Sequence, residues 1–424
     1  MLIIKHARIL DPAGCLDMIG DISVENGIIT EIAEEIKEKE RDIVLEAEGL
    51  VAAPGLVDTH VHFRDPGLTY KEDIFTGAAA AAAGGFTTVV CMANTKPIAD
   101  NVETVSYIVE KGKSAPIHVL TAAAVTKEFN GKDLTDFQKL LDAGAVGFTD
   151  DGIPIKDADT VKKAMLLAAE LDVPLSLHEE DPNLIAAQGV NQGKVSEKLG
   201  YGGAPSESEY LMVERDCALA LETRAKTVIQ HISAAESVEA VRKYWRRGAK
   251  IHGEVTPQHF SLTEEIVLEK GSLARVNPPI RTERDRQAII EGLMDGTLDI
   301  ISTDHAPHSR EEKAKDIKDA PSGMIGLETS LALGITNLVR PGYLTLSELL
   351  EKMTVNPARL YNLNCGRLVQ GAPADIILFD PEKEWTEEDH FQSKANNSPF
   401  IGSKVYGQVC CTICNGKVVY RREA

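Results

Sequence analysis

Residues 54–67 have the sequence PGLVDTHVHFRDPG, in which a short apolar run leads into two histidines and a turn. Alternate side chains of an extended strand share a face, so His60 and His62 are expected to point the same way. Two imidazoles side by side at a strand end can bind one metal ion. An isolated His-x-His pair can also be ordinary surface or core histidines, so the rest of the chain has to distinguish the two.

The sequence pattern changes twice along the chain. Residues 1–53 and 365–424 contain short β-type runs and turns, including a hairpin signal at Asn26-Gly27. Between them, residues 54–364 alternate β-branched runs with helical stretches, which indicates a parallel sheet. We therefore predict an α/β fold, with a (β/α)8 TIM-type barrel over residues 54–364. Both termini together form a small β-sandwich-like domain.

Eight strands are predicted in the middle region, the number that a closed barrel needs. They are Leu56–His62, Phe86–Met92, Ile117–Leu120, Ala145–Thr149, Val173–His178, Thr227–His231, Lys250–Val255 and Leu298–Thr303. The alanine-rich run Gly77–Ala83, followed by Gly84-Gly85, predicts the helix before the second strand. A doubly wound open sheet would show the same alternation, but no Gly-x-Gly-x-x-Gly turn follows the first strand.

Composition narrows the classes of partner. The 424 residues carry a formal net charge of -20, which argues against nucleic acid and anionic membranes. We find no apolar run of membrane-spanning length and no signal peptide. Seven cysteines without an export signal predict reduced thiols and a cytoplasmic protein. We interpret Cys410, Cys411 and Cys414 as core residues rather than a metal knuckle, because no second cluster lies nearby in the sequence.

Several predicted strands end at a residue type that binds metals, which is where barrel enzymes place their reactive groups. These residues are His60, His62, Asp150, Asp151, His178, His231 and Asp304. The set exceeds what one tetrahedral zinc ion takes, so we expect two ions and a bridging carboxylate. Asp150 and Asp151 point to opposite faces of an extended segment. We favour Asp151 as the bridge, because Gly152 follows it where the backbone must turn.

Six motifs carry a resemblance that runs nearly from end to end. They are His60-Val61-His62-Phe63-Arg64-Asp65-Pro66-Gly67, Phe148-Thr149-Asp150-Asp151-Gly152, His178-Glu179-Glu180-Asp181, His231-Ile232-Ser233, Asn277-Pro278-Pro279 and Thr303-Asp304-His305-Ala306-Pro307-His308. The chain resembles the bacterial type I dihydroorotases of the amidohydrolase superfamily. The resemblance implies reversible conversion of N-carbamoyl-L-aspartate to L-dihydroorotate in de novo pyrimidine (UMP) synthesis, through a metal-bridging hydroxide.

The same resemblance implies a set of site residues and partners. The implied metal ligands, holding two divalent ions expected to be Zn²⁺, are His60, His62, Asp151, His178, His231 and Asp304. The implied substrate contacts are His62, Arg64, Asn94, Asn277, His308, Ser322 and Gly323. Asp304 is the implied catalytic residue. A homodimer and association with aspartate transcarbamoylase are further expectations of the resemblance.

Physical chemistry supports two of these roles directly. Arg64 offers a planar fork that can bind the carboxylate of the substrate through two hydrogen bonds. Asp304 can take a proton from the attacking water and return it to the leaving nitrogen. The charged run that follows, residues 309–319, predicts either a solvated surface or part of a lid over residues 308–322.

Three alternatives remain at this stage. Hydantoinases and dihydropyrimidinases bridge their metals with a carboxylated lysine, but residues 145–152 contain no lysine. Allantoinase is disfavoured for similar reasons. A non-catalytic homologue acting as a scaffold would be expected to lack metal ligands. One local departure is Gln258, which stands where a second histidine beside His259 is expected.

Overall fold

In the computed structural model, which describes residues 1–423, the chain begins with five strands. They are β1 (Leu2–Asp11), β2 (Leu16–Glu25), β3 (Ile28–Ala33), β4 (Ile43–Glu46) and β5 (Val51–Pro54). β2 and β3 form an antiparallel hairpin in which Glu25 pairs with Ile28. The loop residues Asn26 and Gly27 have φ values of 51° and 82°, as this tight turn requires. The predicted hairpin is confirmed.

Eight short parallel strands follow and close into a barrel. They are β6 (Leu56–Val61), β7 (Phe86–Cys91), β8 (His118–Thr121), β9 (Phe148–Thr149), β10 (Leu175–Leu177), β11 (Thr227–Ile229), β12 (Ile251–Val255) and β13 (Leu298–Ile301). β6–β8 form one run and β9–β13 another. Bridges from Val61 to His305 and from Ala123 to Phe148 join the two runs at both edges. The predicted (β/α)8 barrel is confirmed.

Some strands end before the predicted residue, and the backbone gives the reason. β11 ends at Ile229 and β13 at Ile301, two residues short of the predicted ends. Shortly beyond them, His231 and Asp304 have φ values of 34° and 49°. Such left-handed conformations are incompatible with a continuing strand. The chain therefore leaves the sheet where it presents these two side chains.

Helices alternate with the barrel strands and cover them. Their bounds are α1 (Ile74–Ala83), α2 (Val102–Gly112), α3 (Phe137–Asp142), α4 (Ala158–Glu170), α5 (Lys194–Lys198), α6 (Glu207–Thr223), α7 (Ala235–Trp245), α8 (Pro257–Ser261), α9 (Ile266–Lys270), α10 (Glu283–Asp295), α11 (Arg310–Lys313), α12 (Ser330–Gly334), α13 (Leu346–Met353) and α14 (Val355–Leu360). Short 3₁₀ turns span Lys127–Phe129 and Gly271–Ala274, and a π turn spans Ile335–Val339. Among residues 1–423, no helix has the length and apolarity needed to cross a membrane.

The alanine-rich helix α1 shows how the first strand is supported. Asp73 caps its N-terminus by accepting hydrogen bonds from two backbone N–H groups, and Gly84 ends it. A Cβ atom added at Gly77 would overlap the ring of Phe63, so the helix packs closely against the segment that follows β6. The helix predicted over Gly77–Ala83 is confirmed.

The last three strands return to the sheet formed by the first five. They are β14 (Ile376–Thr386), β15 (Lys404–Cys414) and β16 (Lys417–Arg421). The strand order is β16-β15-β14-β5-β1-β2-β3, with β4 paired to β1. The two ends of the chain therefore share one sheet, and β5 leads directly into the first barrel strand. The division at residues 53/54 and 364/365 stays a prediction.

Glu387, just beyond β14, has a buried carboxyl group of which only one oxygen accepts a hydrogen bond. It is 1% exposed. Its Oε1 accepts a hydrogen bond from Ser398 Oγ at 2.5 Å, whereas Oε2 has no partner within residues 1–423. Burial raises the pKa of Glu387 from 4.5 to about 7, because the charged form loses its hydration. Between these two pH values the unfolded chain loses its proton first, so stability falls as the pH rises.

We expect Glu387→Gln to raise the free energy of unfolding by about 1–3 kcal/mol at pH 8, and to have little effect near pH 4.5. Glutamine keeps an acceptor for Ser398 but cannot ionise. Denaturant unfolding of both proteins across this pH range measures the difference. Glu388→Gln, at an exposed neighbour, is the control and should show no such trend. Equal stability of the Glu387 variant and the parent at pH 8 would contradict the expectation.

Candidate metal centre and active site

A cavity of about 190 Å³ opens at the mouth of the barrel, at the C-terminal ends of the strands. Its lining consists of His62, Arg64, Asn94, Asp151, Gly152, His178, His231, Val276, Asn277, Asp304, Ala306, His308, Ser322 and Gly323. All predicted site residues except His60 are in this lining. His60 is fully buried and lies 3.4 Å from Asp151 and 3.5 Å from Asp304. The fold therefore brings the whole predicted set together.

The Asp151 carboxylate lies at the centre of four histidines. Its Oδ1 is 3.4 Å from His60 Nε2 and 3.8 Å from both His178 Nδ1 and His231 Nε2. Its Oδ2 is 3.5 Å from His62 Nε2. Two groups able to hold a metal ion, one with His60 and His62 and one with His178 and His231, share this carboxylate. Asp151 is thus common to both groups of residues that could hold metal.

The neighbouring Asp150 has a different environment. Its Oδ1 accepts hydrogen bonds from the backbone N–H groups of Val125 at 2.7 Å and Thr126 at 3.0 Å, and its Oδ2 accepts one from the Thr126 hydroxyl. Burial raises the pKa of Asp150 to about 6, although these hydrogen bonds oppose the shift. Asp150 fastens the loop after β8 instead of facing the histidines.

The hydrogen bonds of His60 and His62 fix which ring nitrogen faces the acids. His60 Nδ1–H donates to Glu254 Oε1 at 2.8 Å, and His62 Nδ1–H donates to Asn94 Oδ1 at 2.9 Å. The other ring nitrogen of each histidine, Nε2, therefore faces carboxylate oxygens. His62 Nε2 is 3.0 Å from Asp304 Oδ1, and the buried His60 Nε2 has no hydrogen-bond partner in residues 1–423.

The Nε2 atoms of His60 and His62 and the oxygens of Asp151 and Asp304 converge on one space, where a cation would be bound by both donor types. In the second histidine pair, His178 Nδ1 and His231 Nε2 are 2.9 Å apart and both are 3.8 Å from Asp151 Oδ1. The other nitrogen of His231 is buried without a partner in the described chain. Neutral imidazole and carboxylate are also the donor types that divalent transition metals prefer. The residues present therefore fit a metal centre.

Two acidic residues that contact the histidines are not among the residues predicted from the sequence. Glu254, in β12, is 1% exposed, and its Oε1 also accepts from the backbone N–H of His231 at 3.2 Å. Glu180 Oε2 is 3.2 Å from His178 Nε2. Such carboxylates orient metal-binding imidazoles. The sequence holds a signal for both residues. Glu254 is a charged residue within a predicted barrel strand, and Glu180 belongs to the motif His178-Glu179-Glu180-Asp181.

Asn94, predicted to bind substrate, already holds two members of the centre. Its Oδ1 accepts from His62, and its Nδ2 donates to Asp151 Oδ2 at 3.1 Å. Both ends of the amide are therefore used within the protein. It lines the cavity, but its contacts in this structure are those of a residue that positions His62 and Asp151.

The other predicted substrate contacts line the same cavity. Arg64 Nε donates to Pro307 O at 3.3 Å, and within residues 1–423 the Arg64 guanidinium makes no salt bridge. Asn277 Oδ1 accepts from Ser322 Oγ at 3.1 Å. The cavity thus carries a guanidinium group and an amide in addition to the carboxylates of Asp151 and Asp304.

His308 is fixed by two hydrogen bonds. Its Nδ1 accepts from Lys71 Nζ at 3.1 Å, and its Nε2–H donates to Ser322 O at 2.9 Å. Burial, together with the nearby Arg64 and Lys71, lowers the pKa of His308 to about 2. His308 is therefore neutral at physiological pH and holds the backbone of Ser322 at the cavity.

The charged run after His308 is only partly a solvated surface. Lys313 is 5% exposed, and its Nζ donates to Pro321 O at 3.0 Å and Gly323 O at 2.9 Å. Glu312 pairs with Lys71 at 2.9 Å. These contacts close residues 308–323 into a loop at the mouth of the cavity. Movement of this loop as a lid stays a prediction.

The segment with the unexpected Gln258 supports the cavity from outside. His259 is 3% exposed, with Nδ1 2.7 Å from Thr256 Oγ1 and Nε2 3.0 Å from Pro278 O. Burial lowers the pKa of His259 to about 4, so the neutral ring donates from Nε2 to Pro278 O. His259 thus holds the turn that contains Asn277.

Comparisons with known proteins identify the family of the chain. The model of the Amidohydrolase family matches residues 51–419. The dihydroorotase of Clostridioides difficile (strain 630) is 56% identical over 420 residues, which cover 99% of this chain and 100% of that protein. The dihydroorotase of Lactococcus lactis subsp. lactis (strain IL1403) is 54% identical over 422 residues, covering 100% of both.

Solved structures share the fold at lower sequence identity. The L-hydantoinase (dihydropyrimidinase) from Arthrobacter aurescens has a TM-score of 0.88 and 26% identity, covering 100% of this chain and 96% of that one. Its identity to this chain is less than half that of the two dihydroorotases. With family matches of this length and identity, the chain belongs to the amidohydrolase family and, within it, to the dihydroorotases.

Proposed function

We propose that this chain catalyses the reversible conversion of N-carbamoyl-L-aspartate to L-dihydroorotate in de novo pyrimidine synthesis. The observation that carries the proposal is the Arg64 guanidinium beside a centre of four histidines and two aspartates. The reaction needs both features, because a cyclic amide must be opened or closed and the substrate carries a carboxylate. A metal centre alone would serve many cyclic amides, and Arg64 favours those with an acid group.

We propose two divalent ions, with Zn²⁺ as the preferred metal. The residues that would hold them are His60, His62, Asp151, His178, His231 and Asp304. Their neutral imidazoles and carboxylates support this choice. When bound, two such ions lower the pKa of a water molecule towards neutrality and polarise an amide carbonyl.

Arg64 and Asn277 would orient the substrate. The guanidinium fork of Arg64 can donate two parallel hydrogen bonds to the carboxylate, while the Asn277 amide can pair with a ring amide. Val276 and Ala306 add apolar surface to the cavity. Together these groups would hold the scissile amide towards Asp151 and Asp304 and would exclude bulk water from the amide.

Asp304 would move the proton. Its Oδ1 is engaged by His62, which leaves Oδ2 to accept a proton from the attacking water. Burial raises the pKa of Asp304, but His60 and His62 outweigh this, and the pKa lies below its usual value. The carboxylate is therefore ionised and ready to act as base, and the proton then passes from Oδ2 to the leaving nitrogen.

The test of the proposed function is a comparison of substrates. Purified, metal-loaded protein is offered carbamoyl aspartate, dihydrouracil and hydantoin in parallel, and product is measured for each. We expect turnover of carbamoyl aspartate alone. Turnover of hydantoin or dihydrouracil with a comparable kcat/KM would contradict the proposal and favour a hydantoinase-type enzyme.

We expect Arg64→Ala to raise KM for dihydroorotate by about 10–100-fold, with a smaller effect on kcat, because a charge-assisted pair with the substrate is lost. Steady-state kinetics measure this change. Arg310→Ala is the matched control, since Arg310 is exposed in the loop next to the cavity and its removal should leave KM unchanged. An unaltered KM for the Arg64 variant would exclude its role in carboxylate binding.

We also propose a homodimer that associates with aspartate transcarbamoylase, which would supply carbamoyl aspartate, in the cytoplasm. All seven cysteines are free thiols, which supports a reducing compartment. Size-exclusion chromatography with light scattering, with and without the transcarbamoylase, tests the first two points.

A further inference from the structure

Three side chains from distant parts of the sequence converge at the end of the barrel opposite the active site. His118 begins β8, Asp375 directly precedes β14, and Cys414 ends β15. One nitrogen, oxygen or sulfur atom from each lies within 4.8 Å of the other two. The cluster therefore joins a barrel strand to the sheet formed by the chain termini.

The donor atoms of the cluster face one another and make few contacts outside it. Asp375 Oδ1 is held by the backbone N–H of Asn415 at 2.8 Å, which orients Oδ2 towards His118 Nε2, 3.1 Å away. Cys414 Sγ has only a long contact of 3.8 Å with Thr87 O. Asp375 and Cys414 are buried, whereas the His118 side chain is 34% exposed and gives the cluster access to solvent.

We propose that His118, Asp375 and Cys414 form a further divalent-metal site, separate from the catalytic centre and suited to Zn²⁺. Imidazole, carboxylate and thiolate are all zinc ligands, with bond lengths of about 2.0–2.3 Å. A tetrahedral ion would place the three donors about 3.5 Å from one another, which lies between the present 3.1 Å from His118 Nε2 to Asp375 Oδ2 and the 4.8 Å that bounds the cluster. Water can take the fourth position on the exposed side.

The site would act as a clamp between two parts of the fold. β8 belongs to the barrel, whereas β14 and β15 belong to the sheet of the chain termini, and one ion would tie them together. Burial raises the pKa of Cys414, and the Asp375 charge adds to this, so the thiol is protonated without metal. Metal binding would release that proton, and the affinity is therefore expected to rise with pH.

Cobalt distinguishes this site from the catalytic one, because no cysteine lines the active-site cavity. Metal-free full-length protein is titrated anaerobically with Co²⁺ while the sulfur-to-cobalt charge-transfer absorption is recorded. We expect this band to appear and its final intensity to correspond to one thiolate-bound cobalt per chain, in addition to the cobalt taken up by the catalytic centre. Cys414→Ser should abolish the band, and His118→Ala should weaken the cobalt affinity at least about tenfold.

Cys410→Ser is the matched control, since Cys410 lies in the same strand, outside the cluster, and its variant should keep the band. All variants should keep dihydroorotase activity once the catalytic centre is loaded. No charge-transfer band in the parent protein, or an equal band in Cys414→Ser, would overturn the proposal. If Cys414→Ser fails to fold, His118→Ala gives the answer, because an unchanged cobalt affinity would also overturn it.

Discussion

Asp304→Asn is expected to lower kcat by about 10²–10⁴-fold while the protein keeps its metal. Asparagine has nearly the same shape and retains an oxygen that can face His62, 3.0 Å away in the parent. It cannot accept a proton from water and return it to the leaving nitrogen. Steady-state kinetics in both directions, with metal analysis of the same samples, measure the two effects separately.

The control for this variant is Asp299→Asn. Asp299 lies in β13, the strand that leads to Asp304, but it pairs with His252 at 2.8 Å away from the cavity. Its variant should keep nearly full activity, which shows that the strand tolerates the exchange. Undiminished kcat in the Asp304 variant would refute its role as the proton carrier, and loss of metal would assign the defect to binding instead.

The residues that could be predicted from the sequence are those that end a strand. His60, His178 and Asp304 each follow an apolar run, and parallel strands in a closed barrel bring their C-terminal ends together. Local sequence thus predicts both the strand and the side chain at its end. This is why the barrel was predicted correctly and why the predicted site residues surround one cavity.

Contacts that depend on packing between distant segments could not be predicted in this way. Asn94 stands at a strand end like the ligands, and its bonds to His62 and Asp151 appear only in the folded chain. The sequence places no second cluster of metal-binding neighbours near Cys414, which is predicted to be a core residue and is buried. His118 and Asp375 supply those neighbours only when β8 meets β14 and β15.

Asp151→Ala is expected to lower kcat by more than about 10³-fold and to release metal, because it removes a carboxylate shared by two groups of ligands. The oxygens of Asp151 lie 3.4–3.8 Å from the nitrogens of four histidines. Among the described residues, Asp151 is the member that the two histidine-containing ligand groups have in common. Metal analysis after gel filtration and steady-state kinetics are the measurements.

Asp150→Asn is the control at the adjacent residue. We expect this variant to keep the metal that the Asp151 variant loses, which distinguishes the roles of the two carboxylates. Asp150 bonds Val125 and Thr126, away from the histidines, so its variant should keep metal and turn over within about twofold of the parent. Metal loss in the Asp150 variant and retention in the Asp151 variant would reverse the assignment of the bridge. An alanine at 151 that retained both ions would show that the histidines and Asp304 suffice to hold them, and the case for a bridging carboxylate would then fail.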